Sequence, residues 1–296
     1  PSAEEIATWP APNYVDPVTR RPLVLGIEIT LLILVVLFIT MRLYRTAIVK
    51  AIGADDYFMI AATVCFCANS ISISVSTTPA LATGYHLWDV PPSLLQDVQP
   101  IASVAMSSHI MFVPITTFTK VSILCTYLRI FPSDRNRYFC YFMLAFTAAW
   151  AVTTFCMTLF QCSPVEAFWR ATDYPNAECM SFTTVFFPTG FFNVASDFLI
   201  FLWPAKDLAK VQIPVKQRII LIATFSLGIV VCAAGISRMW YTSVFVKSYD
   251  TLWNGATLYV ILSIENAVGI ICGCLPACRP LLRLLPRYFT SLHESS

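Results

Sequence analysis

The sequence predicts an all-α, polytopic membrane protein, a bundle of seven transmembrane helices with its N-terminus outside and its C-terminus in the cytoplasm. Three observations lead there. Of 296 residues, 57% are hydrophobic and only 12% charged, about half of the ~25% charge that wets a soluble globular protein. Seven apolar stretches are each long enough to cross a hydrocarbon core of about 30 Å at about 1.5 Å per residue. Lysine and arginine numbers alternate from one inter-span segment to the next, as the positive-inside rule requires. The composition also excludes a disordered chain and a nucleic-acid binder: the net charge is +2, and no basic run offers a track for phosphates.

The spans fall at about 22–41, 56–76, 103–130, 138–160, 183–205, 217–243 and 254–278, leaving an outer tail over 1–21 and a cytoplasmic tail over 279–296. The first run is too long for a signal-peptide core, and Arg42 and Arg45 follow it at once as a stop flank. Asp55 and Asp56 open the second, where carboxylates cap free amides and complement the helix dipole. Paired carboxylates also ligate Mg²⁺, but no second acidic cluster accompanies them. Pro114 and Pro204 mark kink points in spans three and five. Gly228, Cys232 and Gly235 give span six a small-residue face for close helix contact. The segments after spans one, three, five and seven hold thirteen lysines and arginines, against four on the opposite side. Trp88, Trp169, Trp240 and Trp253 fall at the outer boundary, where amphipathic rings settle.

Of the 36 charged side chains, 31 lie in tails, loops or helix ends. The five inside the bundle are Glu28, Lys120, Asp197, Arg238 and Glu265, and ionisable groups in lipid are costly enough to be functional hypotheses by default. On span three, His109, Thr116 and Lys120 share one stripe, and on span five Asn193 and Asp197 share a face. Lys120 and Asp197 both sit about 15 Å deep by helical rise, level enough to form an ion pair. Glu28, His109 and Arg238 fall in the outer half, with Glu265 and Asn266 near the middle of span seven. Together with Asn69, Ser72 and Ser76, which form another polar face on span two, these five suggest a polar cavity opening outward, a candidate ligand pocket. The bland alternative is that Arg238 and Glu265 neutralise each other as a packing device.

Cys162 and Cys179 bracket an outer loop on the oxidising side, which points to a disulfide closing it as a lid. Cys272, Cys274 and Cys278 read as core or palmitoylation positions; no metal site is expected, because no histidine accompanies them. Walker A, HExxH and GxSxG motifs are absent from the sequence. No cofactor is expected. Retinal is disfavoured because span seven carries no lysine for a Schiff base.

TRRP before span one, GADDYFMIAA opening span two and TKVSILCTYLRIFP closing span three form an ordered set of motifs. QCSPVEAFW followed by Cys179, NVASDFLIFLWP, FSLGIVVCAAGISRM and SIENAVGIICGCLPACRPLL continue it. From about residue 19 to 282 the chain resembles the fungal rhodopsin-domain family of integral membrane proteins. The resemblance implies a seven-helix, receptor-like protein; some members are related to infection-related receptors, and others are encoded beside secondary-metabolite enzymes. Arg129 in YLRIFP stands where G-protein-coupled receptors place an arginine, but without the preceding acid, and span seven lacks NPxxY.

Two functions stand open. The first is a receptor or sensor for a small lipophilic ligand entering from outside, with the Lys120–Asp197 pair as a latch. A cytoplasmic signalling partner would then meet Arg129, Lys206, Lys210, Lys216 and Arg218. The alternative is an integral membrane enzyme or accessory protein acting on a secondary metabolite, with Asp197, Glu265 or His109 as acid and base. A transporter ranks third, since no internal repeat is visible. The plasma membrane is the expected location, an endomembrane the alternative.

Overall fold

Each apolar run forms one continuous helix in the computed structural model: α1 (Arg21–Val49), α2 (Ala54–Ser76), α3 (Gln99–Ile130), α4 (Asp134–Leu159), α5 (Phe182–Ala209), α6 (Val215–Lys247) and α7 (Thr251–Cys278). The structure describes residues 9–50, 52–96, 98–131, 133–170, 173–209 and 215–278, without the side chains of 96, 204–225 and 277–278. All seven helices have the length and apolarity to cross a membrane. Local chemistry sets their ends. Pro22 occupies the first turn of α1, where its missing N–H costs nothing, and Lys50 ends that helix in the left-handed conformation at φ 51°. Ser133 caps α4 by accepting from Asn136 N at 3.2 Å.

Around the bundle each helix packs on its sequence neighbours and α7 closes the ring on α1, while α3 also reaches α5 and α7. Large apolar side chains such as Ile33, Val64, Phe142, Val152 and Ile229 face outward. Hydrophobicity is therefore spread all round each helix, as lipid on one side and protein on the other demand. Helix α7 is the most enclosed: 72% of its apolar window is buried, against 22% for α1. The small-residue face of α6 does what its spacing implies. A Cβ on Gly228 would lie 2.7 Å from Phe201, and one on Gly235 2.6 Å from Val194, so α5 and α6 approach at distances only glycine allows.

At the end of the bundle where α1 begins, hereafter the N-terminal face, the described parts of the connections interlock. A short antiparallel hairpin pairs β1 (Cys162–Ser163) with β2 (Glu178–Cys179), and the Cys162–Cys179 disulfide closes it. Within that loop Tyr174 Oη donates to Glu166 Oε2 at 2.8 Å, which raises the phenol pKa. Arg20 N donates to Gly84 O and Gly84 N to Leu252 O, pinning the N-terminal segment, the α2–α3 connection and the start of α7 together. Gly84 takes φ +90° to do so, a conformation other residues rarely adopt. Stacked on these bonds is a ladder of rings. The His86 ring lies 3.7 Å from Trp253 and 4.3 Å from Trp88, and Trp88 in turn meets Trp9. Arg20 covers the other side of Trp253. His86 Nδ1 also contacts Asp250 Oδ2 at 2.6 Å.

Candidate functional site

Beneath the N-terminal face lies an apolar cavity of about 390 Å³. Helix α3 supplies one wall through Ile101, Ala102, Ala105 and His109, with the preceding cap residue Val98, a spacing that keeps them on one helical face. Helix α7 supplies the facing wall through Thr251, Leu252, Gly255, Leu258 and Tyr259. Phe168 from the disulfide loop, Leu87 and Leu95 from the α2–α3 connection, and the rings of Phe182 and Phe245 complete the enclosure. No Asp, Glu, Lys or Arg side chain lines it among the described residues. The disulfide loop expected from the sequence thus forms part of a roof.

His109, Phe182 and Leu258 also line a second, much narrower cleft that leads to Arg238. Its space of about 20 Å³ suffices for about one water molecule. Below it runs a continuous network of buried charge. Arg238 Nε donates to Glu265 Oε2 at 2.7 Å, and Asn193 Nδ2 donates to Glu265 Oε1 at 2.9 Å. Lys120 Nζ donates to Asn193 Oδ1 at 2.7 Å and to Ser196 Oγ at 2.6 Å, and it pairs with Asp197 Oδ1 at 3.1 Å. The Lys120–Asp197 pair and the Arg238–Glu265 pair, separate in the sequence reading, are joined by Asn193. Two cations and two anions from α3, α5, α6 and α7 balance, which is how such groups survive out of water. The rings of Trp150 and Phe112 lie 5.4 Å from Lys120 and 4.8 Å from Arg238, adding cation–π contact. Asn266 accepts from Thr116 Oγ1 at 3.3 Å.

The pocket candidates therefore divide. His109 lines the cavity; Arg238 lines the narrow cleft below; Glu265 and Asn266 line a third space, beside Lys120 and Asp197. Glu28 lines none of these. It is buried against α2, where Ser70 Oγ donates to its Oε2 at 2.6 Å.

A second group of buried charge, at the opposite end of the bundle, escapes the sequence reading. Arg42 is fully buried rather than a solvated stop flank. Its Nε donates to Asp56 Oδ1 at 2.8 Å, its Nη2 to Asp55 Oδ2 at 2.6 Å and its Nη1 to Gly273 O at 2.8 Å, tying α1, α2 and α7 together. Ser122 Oγ donates to Asp55 O at 2.6 Å, and Arg129 stands 3.7 Å from Asp55, which adds α3. Asp56 also accepts from Gly53 N at 3.1 Å, so the capping role holds beside the ion pair. Asp55 and Asp56 are buried as well, so the interior holds more charge than the five residues placed there from sequence; Asp89 and Asp250 are buried in the connections at the N-terminal face. A basic residue in the last turns of one helix, followed by an acidic pair opening the next, was the signal for this cluster. Of the basic partner face, Arg129 is half exposed; the side chains of Lys206, Lys210, Lys216 and Arg218 lie outside the described residues.

Fold and site together define a seven-helix membrane protein with a closed polar core and an apolar cavity under a disulfide-pinned loop. Residues 41–284 match the model of the fungal rhodopsin domain, and the chain belongs to that family. Among similar proteins, a SAT4 family membrane protein of Emericella nidulans is 30% identical over 209 residues, covering 70% of this chain and 50% of the relative. Fugralins biosynthesis cluster protein 2 of Gibberella zeae is 26% identical over 204 residues, covering 67% and 50%. The chain thus matches about half the length of these relatives. No solved structure matches it.

Proposed function

We propose that this protein is a receptor or sensor whose cavity at the N-terminal face takes a small lipophilic ligand. The observation that carries this reading is the cavity itself: about 390 Å³, within the ~300–1,000 Å³ range of ligand sites, apolar, and roofed by an ordered loop. The thirteen-to-four distribution of lysine and arginine supports an outward-facing cavity and a cytoplasmic opposite end. Occupancy would push α3 and α7 apart at one end. Because both helices also carry the charge network, the shift would reach Lys120 and Asp197, the proposed latch. Arg129 with its neighbouring basic residues would present the changed face to a signalling partner. Retinal has no place in this reading, since α7 lacks a lysine.

The test is a thermal-shift screen of neutral lipophiles on the purified protein in nanodiscs, repeated on Ala105→Trp, which sets a bulky ring into the cavity wall. Ligands that stabilise the native protein and lose their effect in Ala105→Trp support the reading. An absence of stabilising ligands, or ligands insensitive to Ala105→Trp, contradicts it. A cellular response to a stabilising ligand that is identical in Asp197→Asn removes the latch.

One relative favours a second reading. A relative is called a biosynthesis cluster protein, which accords with a role beside enzymes of secondary metabolism. Catalysis by Asp197 or Glu265 is less well supported, because both carboxylates are occupied by cations and neither lines the larger cavity.

A further inference from the structure

Tyr259 is the anomaly of the cavity. It is 8% exposed and forms part of the lining, yet its hydroxyl has no hydrogen-bond partner among the described residues. A buried tyrosine normally finds one, and leaving it unpaired costs free energy that a bound molecule could recover. The His109 ring, partly buried, shares the lining and likewise has no hydrogen-bond partner among the described residues. Its neighbours are the rings of Phe182 and Phe186, at 5.7 and 4.6 Å, and neither can satisfy an imidazole nitrogen in its plane. Both groups lie at the inner end. Tyr259 is eight residues into the wall that begins at Thr251, about 12 Å of helix, and His109 eleven residues beyond Val98, about 16 Å. Everything above them is aliphatic or aromatic apart from Thr83 and Thr251.

We infer that the cavity selects neutral, largely hydrocarbon molecules bearing one hydroxyl or carbonyl oxygen, which enters first and is held by the Tyr259 hydroxyl with the His109 imidazole as the second polar contact. This rests on the reading of the cavity as a ligand site and adds its chemical specificity. Charged molecules are rejected. An anion in an apolar chamber is costly without a paired cation, no cation lines the cavity among the described residues, and Arg238, in the adjoining narrow cleft, is already engaged with Glu265. A purely hydrocarbon ligand fits but leaves both polar groups unpaired.

Three matched fluorescent probes separate these cases: 1-hydroxypyrene, 1-methylpyrene and 1-pyrenecarboxylate. Binding is read as saturable tryptophan-to-pyrene energy transfer in nanodiscs, with empty nanodiscs and Ala105→Trp as backgrounds. The native protein should bind 1-hydroxypyrene about five- to tenfold more tightly than 1-methylpyrene, the gain of one neutral hydrogen bond, and 1-pyrenecarboxylate not at all. Tyr259→Phe removes one oxygen and little volume, and should bring the two neutral probes within about twofold while leaving 1-methylpyrene unchanged. His109→Phe should reduce the preference partially. Equal binding of the two neutral probes by the native protein, or an undiminished preference in Tyr259→Phe, overturns the specificity while leaving the cavity a ligand site. Saturable binding of the carboxylate overturns the exclusion of charge. Failure of all three probes to bind saturably overturns both the specificity and the ligand-site reading.

Discussion

The two ends of the bundle are built on opposite principles. At the Arg42 end, one fully buried guanidinium spends three donors on two carboxylates and a backbone carbonyl, binding α1, α2 and α7 by charge. At the N-terminal face, α3 and α7 are separated by an apolar cavity, and the connections are held by a disulfide hairpin, backbone bonds at Gly84, and stacked rings around His86. Between them the Lys120–Asp197–Asn193–Glu265–Arg238 network leaves no charge unmatched. A paired buried charge resists displacement because breaking it strands its partner. Apolar walls and loops impose no such penalty. Among the described residues, charge thus locks α1, α2 and α7 at one end, while a largely apolar lining bounds the space between α3 and α7 at the other.

Substitutions can break this contrast, and their expected effects span a wide range. Arg42→Met should cost most, about 3–5 kcal/mol, since it leaves Asp55 and Asp56 buried with only the more distant Arg129 to offset them. Chemical or thermal denaturation in a membrane mimetic measures it, and adding Asp55→Asn and Asp56→Asn should recover much of the loss. Lys120→Met should cost about 3 kcal/mol by stranding Asp197, somewhat less because Asn193 can reorient toward that carboxylate. Gly228→Leu should cost about 1–3 kcal/mol by forcing a side chain into Phe201, visible as a lowered melting temperature with the charge network intact. Glu28→Gln should change stability least, by under about 1 kcal/mol. Ser70 keeps an acceptor and no cation loses its partner. A large loss there would show that Glu28 bears charge the contrast between the two ends does not include.

Much of the fold was legible because lipid makes hydrophobicity and length decisive: seven runs of apolar residues could become little else. The Lys120–Asp197 pair was legible too, since helical rise sets depth and depth sets who can meet. Arg42 was not. A basic residue after an apolar run has the same sequence signature whether it snorkels to the head groups or turns inward, and the helix continuing to Val49 decides the matter. Nor was Tyr259 visible as a site residue, because an aromatic in an apolar helix resembles core packing until its hydroxyl is seen without a partner. The linking role of Asn193 depended on the relative rotation of α5 and α7, which no single-helix periodicity contains.

The most direct test compares cysteines placed at the two ends. Ala105→Cys puts a thiol in the cavity, and Thr126→Cys puts one beside Asp55 in the charge-locked end. Intact cells are treated with neutral N-ethylmaleimide or with a charged, membrane-impermeant maleimide, and labelling is read peptide by peptide by mass spectrometry. Ala105→Cys should react with the neutral reagent at least tenfold faster than with the charged one, and Thr126→Cys should react with neither. Equal labelling of both positions, or an unreactive Ala105→Cys, would contradict an accessible apolar site at one end of a bundle closed at the other.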